Sequence, residues 1–452
     1  MAAKSPLMEQ YKSIKNEHKD AFLFYRLGDF YELFYDDAVT VSHELELTLT
    51  GKNAGPEGRV PMCGIPYHAA ETYIYRLVQK GYKVAICEQM EDPKKAKGLV
   101  KRDVIRIITP GTILFENSIA DKSNNYLAYF YETDKEINAV LADVSTGECW
   151  WGIWDKKKEQ EAFFDMLSVY APTEAVCSLS DDFYSRLEAY CRARLGFCLL
   201  TRRGGEGQHP VPHVAETLDD KNIRCVFAWL AAYLKEMMKV DVAEFHTVMP
   251  IREEDCLLLG EDCLRNLEIT RNMRDGGRRG TLLEILDYTH TAMGARLLRR
   301  WLERPLTDVN RIVQRQDSIE ELIGHTTELS QLEEMLEHVF DFERILSRIE
   351  ANTTSPKDLL ALKASLRMIP EIKKLLSGTV SIALRKLSDQ MDFHSAVYEL
   401  LDRSMNENGT GNIRDGKYIK EGYSAELDEI RSLSENSRKW IADLEEREKE
   451  KT

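Results

Sequence analysis

The sequence has little that would anchor the chain in a membrane or cross-link it. In its 452 residues no uninterrupted apolar run approaches the roughly 20 residues of a membrane-spanning helix, and residues 1–6 contain no apolar signal core. The nine cysteines form no C-x-x-C pair and no Cys/His spacing typical of a zinc site. These absences predict a soluble, cytoplasmic protein whose cysteines are reduced.

An excess of positive charge is also missing. The chain carries 61 basic and 76 acidic residues, a net charge of −15, which argues against a protein that coats nucleic acid nonspecifically. Residues 93–106 are a local exception, in which Asp103 is outnumbered by Lys94, Lys95, Lys97, Lys101, Arg102 and Arg106. Such a run is typical of a solvated loop, and contact with DNA is the alternative. The length predicts about three domains.

The most informative segment is Gly28-Asp29-Phe30-Tyr31-Glu32-Leu33-Phe34. It places an aromatic ring and a carboxylate two residues apart, directly after a Gly-Asp turn signal and an apolar run that predicts a strand. Aromatic side chains that enter a base stack from the minor groove unstack it and kink the duplex, so a ring beside an acid suits a wedge that tests a base. The alternative is that Phe30, Leu33 and Phe34 form the buried face of a short helix.

Longer motifs favour the wedge. Residues 24–38 closely resemble the mismatch-recognition domain of the bacterial MutS DNA-repair family, and blocks at 61–69, 84–89 and 105–112 follow in the order of that family. The resemblance extends more weakly over essentially the whole chain. It implies a mixed α/β mismatch-recognition domain at 1–117, a ribonuclease H-like α/β connector at 124–245, a helical core and lever region at 251–430, and a lever helix leading to a truncated clamp at 431–452.

The resemblance also implies roles for individual residues. Phe30 would stack beside the mispaired or unpaired base as the wedge, and Glu32 would hydrogen-bond that base. Four more side chains match family positions close to DNA and are expected to contact its backbone or groove: Lys52, Met62, Lys97 and Arg102. The implied partners are mismatched duplex DNA and a MutL-like repair factor that docks on the connector. No catalytic residue and no metal ligand is implied.

Apolar periodicity predicts the coarse secondary structure without that resemblance. Strands are expected at 21–27, 82–89, 103–109, 126–131, 137–144 and 149–154, and helices at 71–80, 159–170 and 221–238. From residue 251 onwards helical spacing dominates, and Thr281 begins a capping box that predicts a helix start. The last helix carries a weak heptad pattern that starts at Leu427 and Ile430, as expected of a lever arm.

The sequence lacks the Gly-x-x-x-x-Gly-Lys-Ser/Thr loop that cradles nucleotide phosphates. The nearest similar segment, Gly276-Gly277-Arg278-Arg279-Gly280-Thr281, has neither the spacing nor the lysine, and predicts a turn before the Thr281 cap. Because MutS-like proteins are ATPases, ATP and magnesium are expected only in an ATPase domain missing from this chain. The homodimer contact of the family is expected there too. Because the ATPase domain is expected to be missing, the chain itself is predicted not to be an enzyme.

Two other functions stay open at this stage. Ribonuclease H folds can hold two catalytic metal ions, and Asp143 ends a predicted strand of the connector, so residues 124–245 could form a metal-dependent nuclease. No convergent carboxylates mark such a site, and a polar strand-end residue is the simpler interpretation. The chain could instead be an interaction fragment that docks a repair factor without binding DNA on its own.

Overall fold

The computed structural model describes residues 6–91, 98–114, 123–205, 207–239, 245–251, 256–257, 259–409, 417–434 and 437. The chain forms two compact units. The first comprises residues 1–312 together with 346–353, and the second comprises residues 313–345 together with 354–452. The first unit contains two six-stranded sheets, and the described part of the second is helical.

The N-terminal sheet has the order β3-β4-β2-β1-β5-β6. Its strands are β1 (Ala21–Leu27), β2 (Phe30–Phe34), β3 (Thr50–Asn53), β4 (Arg59–Pro66), β5 (Lys83–Gln89) and β6 (Arg102–Ile108). Strands β1 and β5 pair in parallel, and the other pairs are antiparallel. The predicted strand 21–27 is confirmed, and those at 82–89 and 103–109 are confirmed with ends shifted by one residue.

Both faces of this sheet are covered by helices. Helix α1 (Pro6–Glu17) packs Met8 and Tyr11 against one face. Helices α2 (Tyr35–Leu45) and α3 (Ala70–Gln79) pack on the other. Because side chains alternate between the two faces of a strand, the apolar residues of β1 and β2 divide between these two cores.

The second sheet has the order β11-β10-β7-β8-β9-β12. Its strands are β7 (Leu127–Glu132), β8 (Glu136–Asp143), β9 (Glu148–Asp155), β10 (Glu174–Ser178), β11 (Leu199–Arg202) and β12 (Thr247–Pro250). Strands β7, β8 and β9 form an antiparallel meander, to which β10, β11 and β12 add in parallel. Helices α4 (Gln160–Tyr170) and α5 (Asp181–Tyr190) cover one face.

Helix α6 (Lys221–Met238) has the bounds that the periodicity predicts. Asp220 caps its start, because the Asp220 side chain accepts a hydrogen bond from the amide of Ile223. Its apolar face packs Phe227, Leu230 and further residues into a core shared with both sheets. The two sheets of the first unit are therefore joined by one continuous apolar core.

After residue 259 the first unit continues as helices. They are α7 (Glu261–Asn266), α8 (Leu282–Leu286) and α9 (Ala292–Glu303). Helix α10 (Val309–Gly324) begins at the end of the first unit, and its residues from 313 onwards belong to the second unit. The Thr281 cap is confirmed, because the Thr281 hydroxyl accepts a hydrogen bond from the amide of Glu284 at 3.2 Å, and the Glu284 carboxylate accepts one from the amide of Gly280.

The second unit contains α11 (Thr326–Glu337), the start of α12 (Phe342–Glu350), α13 (Pro356–Ser377), α14 (Ile382–Gln390) and α15 (Ser395–Ser404). The residues of α12 from 346 onwards belong to the first unit. A further helical segment begins at residue 425. Residues 438–452, the larger part of the predicted lever helix, lie outside the described residues. The predicted fold class, mixed α/β followed by helices, is confirmed. Among the described residues no helix is both long and apolar enough to span a bilayer.

Candidate nucleic-acid interface

A tight hairpin presents Phe30. Strands β1 and β2 pair so that Leu27 lies opposite Phe30, which leaves only Gly28 and Asp29 in the turn. Gly28 has a φ of 60° and Asp29 does not have a positive φ, the pattern of a two-residue turn that requires glycine at its first position. Phe30 is therefore the first residue after the turn, held in register by the strand ladder.

Phe30 is exposed although its strand is mostly buried. Its side chain has 47% of its surface accessible, whereas Phe34 has none. Phe34 packs edge-on against Tyr11 of α1, with ring centroids 5.0 Å apart. Phe30, Glu32 and Phe34 share one face of the strand, so α1 covers the far end of that face and leaves the turn end open. The alternative of a short helix with Phe30 on its buried face is wrong.

Glu32 forms an ion pair with Lys52 of β3. Lys52 Nζ lies 2.6 Å from Glu32 Oε2, and the two side chains are 34% and 19% exposed. The same ammonium lies 5.4 Å from the centroid of the Phe34 ring. The sheet thus brings together two predicted site residues that are 20 positions apart, and the Glu32 carboxylate is neutralised by a cation.

Gly64 of β4 borders both Phe30 and Glu32. It lies directly opposite Glu32, and Pro66 lies opposite Phe30. A Cβ atom on Gly64 would lie 3.6 Å from Phe30 Cδ1 and 3.9 Å from Glu32 Cγ, in contact with both predicted recognition side chains. The sequence did not single out Gly64 because its pairing with Glu32 spans 32 positions, which only the strand register reveals.

Arg26 braces the turn from the other face of the sheet. Its Nε donates to the carbonyl of Gly28 at 2.5 Å, and its guanidinium lies 3.8 Å from the centroid of the Tyr67 ring. The amide of Tyr67 donates to the carbonyl of Asp29 at 3.0 Å. Arg26 is also ion-paired with Glu88 at 3.3 Å. Both carbonyls of the turn are therefore fixed, and these positioning residues were not singled out from the sequence.

The remaining predicted DNA contacts occupy different environments. Met62 of β4 is half-buried and lies between Phe34 and Thr50, on the face that carries Lys52. Lys97 lies outside the described residues, as do Lys94 and Lys95. The positions of these side chains do not test whether they contact DNA. The assignments of Lys52, Met62, Lys97 and Arg102 as DNA contacts therefore stay predictions.

Arg102 is buried rather than presented to solvent. Only 7% of it is exposed, and its guanidinium donates to the carbonyls of Arg26 and Val100 at 2.8 and 3.0 Å. It also contacts the Gln10 side chain at 3.2 Å and lies 4.9 Å from the Tyr25 ring. Burial raises the pKa of Tyr25 to about 12, and the charge of Arg102 acts in the opposite direction. This geometry favours a structural role for Arg102.

The connector residue Asp143 is fully engaged in hydrogen bonds. One oxygen accepts from the amide and hydroxyl of Ser145 at 2.9 and 2.7 Å, and the other from Asn124 Nδ2 and the amide of Asn125 at 2.9 and 3.1 Å. Within the described ranges, no group of three or more His, Cys, Asp or Glu residues could hold a metal ion. The carboxylate therefore ties the strand end to the preceding segment, as a polar strand-end residue would.

Comparison with known proteins identifies the family of the chain. A model of MutS domain I matches residues 5–117, which include the whole N-terminal sheet, and a model of MutS domain III matches residues 262–450. The chain belongs to the MutS family.

The MutS relatives are similar along the whole chain. It is 40% identical over 460 residues to the DNA mismatch repair protein MutS of Caldanaerobacter subterraneus subsp. tengcongensis, covering 99% of this chain and 53% of that protein. It is 39% identical over 453 residues to MutS of Bacillus subtilis, covering 100% of this chain and 52% of that protein. The chain thus spans about half the length of the curated MutS relatives that it matches.

Proposed function

We propose that this chain recognises mispaired or unpaired bases in duplex DNA, with Phe30 as the wedge. The observation that carries the proposal is a half-exposed aromatic ring at the tip of a braced hairpin, two residues from a carboxylate on the same face. An aromatic ring without a structural role in the core is free to stack on a base. The membership of the chain in the MutS family supports the same assignment.

The energetics favour discrimination by deformability. Stacking of an aromatic ring on a base contributes roughly 1–3 kcal/mol. Bending the duplex to admit the ring costs on the order of 1–6 kcal/mol. Because these terms nearly cancel, the sign of the balance depends on how easily the DNA unstacks, and a mismatched base unstacks most easily. No particular base sequence needs to be recognised.

Glu32 and Lys52 act together in this proposal. In the free protein Lys52 neutralises Glu32, so the carboxylate does not repel the approaching phosphates. Once Phe30 enters the stack, Glu32 exchanges its contact with Lys52 for a hydrogen bond to the displaced base, and Lys52 becomes available to a phosphate. DNA that offers no displaced base gains neither contact. Met62, on the same face, would line the groove.

Partners and cofactors beyond DNA belong to the whole protein and remain proposals. The sequence of 452 residues contains no phosphate-cradling loop, so we assign DNA recognition and not ATP hydrolysis to this chain. ATP, magnesium and the homodimer contact are expected of the remaining half of a MutS protein, and a MutL-like factor would dock on the connector sheet. We expect a cytoplasmic protein associated with the nucleoid.

The decisive experiment compares two phenylalanines of one strand in the full-length protein. Phe30→Ala should lower the ratio of mismatched to matched duplex affinity roughly 5- to 150-fold, the equivalent of the stacking term. It should change the free energy of unfolding by less than about 1 kcal/mol, because the ring is half-exposed. Phe34→Ala, the matched control, should cost roughly 3–5 kcal/mol of stability because that ring is buried. An unchanged affinity ratio in Phe30→Ala would remove the wedge from the mechanism.

A further inference from the structure

Five arginines line one cavity of the first unit. The cavity has a volume of about 230 Å³ and lies between the connector sheet and helix α9. Arg296, Arg299 and Arg300 lie on one face of α9, because residues three and four positions apart in a helix are neighbours. Arg304 follows the end of that helix, and Arg271 comes from the segment after α7.

Two of these arginines form ion pairs with glutamates. Arg299 Nε lies 2.9 Å from Glu303 Oε1, and Arg300 forms an ion pair with Glu148 of β9. Arg271 has no hydrogen bond or ion pair with any of the residues that the structure describes. Neighbouring protein atoms desolvate its guanidinium and lower its pKa. The charge of Arg299 acts in the same direction, and the charge of Glu303 acts in the opposite direction. Among the described residues that line the cavity, five are arginines and one, Glu303, is acidic.

Arg304 adds a second unsatisfied group. It is 9% exposed, and its guanidinium lies over the Trp150 and Tyr170 rings, 4.7 and 5.0 Å from their centroids. Its Nη2 donates to the Tyr170 hydroxyl, whereas its buried Nη1 has no hydrogen-bond partner in the described part of the chain. A buried charged group with an unmet donor is costly unless an anion or a polar group approaches it.

We propose that this cavity binds a small, multiply charged phosphate anion such as pyrophosphate or the phosphate chain of a nucleotide. A site needs roughly 10–15 Å³ of cavity volume to hold one water, so a cavity of about 230 Å³ has room for a small polyphosphate anion. Guanidinium groups bind phosphate oxygens through paired hydrogen bonds, and several arginines can share the oxygens of one anion. The unpaired Arg271 would make the first contact.

The shape of the site favours a small ion over a duplex. Arg296 and Arg304 are 3% and 9% exposed, so the convex backbone of a duplex cannot reach their guanidinium groups inside the cavity. The proposal is also independent of mismatch recognition, because none of the cavity residues belongs to the N-terminal sheet that carries Phe30. Binding can therefore be measured in the absence of DNA.

The test is calorimetric titration of the 452-residue chain with sodium pyrophosphate in EDTA, against sodium chloride at matched ionic strength. We expect saturable binding of one pyrophosphate and a rise in the melting temperature that follows its saturation. Arg271→Gln should weaken binding at least tenfold. It should change the melting temperature of the unliganded protein little, because Arg271 interacts with one charge of like sign, Arg299, and one of opposite sign, Glu303.

A control and two further ligands sharpen the outcome. Arg192→Gln removes an 80% exposed arginine of the connector and should leave binding unchanged. If tripolyphosphate and ATP bind with equal affinity, the site is one for free phosphate anions. If ATP binds at least tenfold more tightly than tripolyphosphate, the site is one for a nucleotide. The proposal would be overturned if titration with pyrophosphate released no more heat than titration with chloride. It would also be overturned if Arg271→Gln and wild type bound pyrophosphate with equal affinity. Binding of a duplex that Arg271→Gln abolishes, without pyrophosphate binding, would overturn it as well.

Discussion

Lys52 Nζ lies 2.6 Å from Glu32 Oε2, on the open end of the sheet face that carries Phe30. The pair joins β2 to an edge strand across β4, so it depends on the register of three strands. A carboxylate alone at this position would repel DNA, and a lysine alone would bind any duplex. Their pairing makes the surface of the free protein nearly neutral. When mismatched DNA is bound, the proposed partners are the displaced base for Glu32 and a phosphate for Lys52.

Replacing the carboxylate separates affinity from discrimination. Glu32→Ala should leave the affinity for matched duplex unchanged or raise it, because Lys52 is then available to a phosphate. The ratio of mismatched to matched affinity should fall about 10- to 100-fold, the equivalent of a lost hydrogen bond that involves a charged group. Competition binding with the two duplexes measures both quantities. An unchanged ratio would show that Glu32 does not contact the base.

Replacing the lysine has the opposite effect on matched DNA. Lys52→Ala should weaken binding to matched duplex because the charge of Glu32 is then no longer neutralised. For the mismatched duplex it should also reduce the slope of log affinity against log salt by about one unit, because a phosphate contact is lost. The Lys80–Glu44 pair, also at 2.6 Å, provides the matched control on the helical side of the sheet. Lys80→Ala should change neither quantity. Equal salt slopes for wild type and Lys52→Ala would mean that Lys52 never reaches a phosphate.

The brace under the turn gives a third prediction. Arg26→Ala removes the hydrogen bond to the carbonyl of Gly28 and the packing against Tyr67. Mismatch preference should fall roughly twofold to tenfold, the equivalent of one hydrogen bond, while affinity for matched duplex stays constant. The Tyr67 amide, which donates to Asp29, should exchange its hydrogen faster. Arg26→Lys should not restore either property, because an ammonium lacks the planar fork and the stacking surface. If the Tyr67 amide exchanges faster in Arg26→Ala but the preference for mismatched duplex is unchanged, Arg26 does not position the wedge.

The sequence predicted the parts of this fold that depend on local patterns. Strand β1 and helix α6 were predicted with their observed bounds, because a continuous apolar run and a 3.6-residue period are visible within single segments. Strands β3 and β4 were not predicted. Their residues are rich in glycine and proline, and they become strands because they pair with β2 and with each other.

The site shows the same division. Phe30 and Glu32 are close in sequence, so motif and turn chemistry brought them together. The Glu32–Lys52 ion pair and the Glu32–Gly64 register depend on pairing between distant segments, which no local pattern encodes. The burial of Arg102 had a local signal that was missed. It occupies the same alternating face of β6 as the buried Val104, so the alternation along the strand indicates burial where the positive charge of the segment indicates exposure.

Glu174 makes stability depend on pH. This fully buried carboxylate accepts hydrogen bonds from the amide of Gly111 at 3.0 Å and from the Thr109 and Tyr233 hydroxyls, so it ties the segment after β6 to β10 and α6. Burial raises its pKa above the ordinary value, although the three donors act in the opposite direction. The unfolded chain, with a pKa of about 4.3, therefore loses this proton before the folded protein does as pH rises.

The contribution of Glu174 to stability is thus complete below about pH 4.3 and is lost as the pH rises towards the folded-state pKa, by up to about 1.4 kcal/mol per pH unit. Urea unfolding of Glu174→Gln between pH 4 and pH 8 should show that the variant gains stability relative to wild type as pH rises. The exposed Glu161→Gln is the control and should follow wild type. Parallel curves for Glu174→Gln and wild type would contradict the raised pKa.

Adjacent basic residues at the start of β6 allow the role of Arg102 to be decided. Lys101 is exposed, whereas Arg102 donates to two backbone carbonyls and to the Gln10 side chain. Arg102→Ala should lower the free energy of unfolding by about 1.5–3 kcal/mol, the equivalent of hydrogen bonds from a charged group. The salt slope of DNA binding should not change, because the guanidinium is not available to a phosphate. Lys101→Ala should leave stability unchanged within about 0.5 kcal/mol. The opposite result would be a salt slope that is shallower by about one unit in Arg102→Ala, with stability retained. Arg102 would then be a phosphate contact, and its side chain would have to leave Tyr25 when DNA binds.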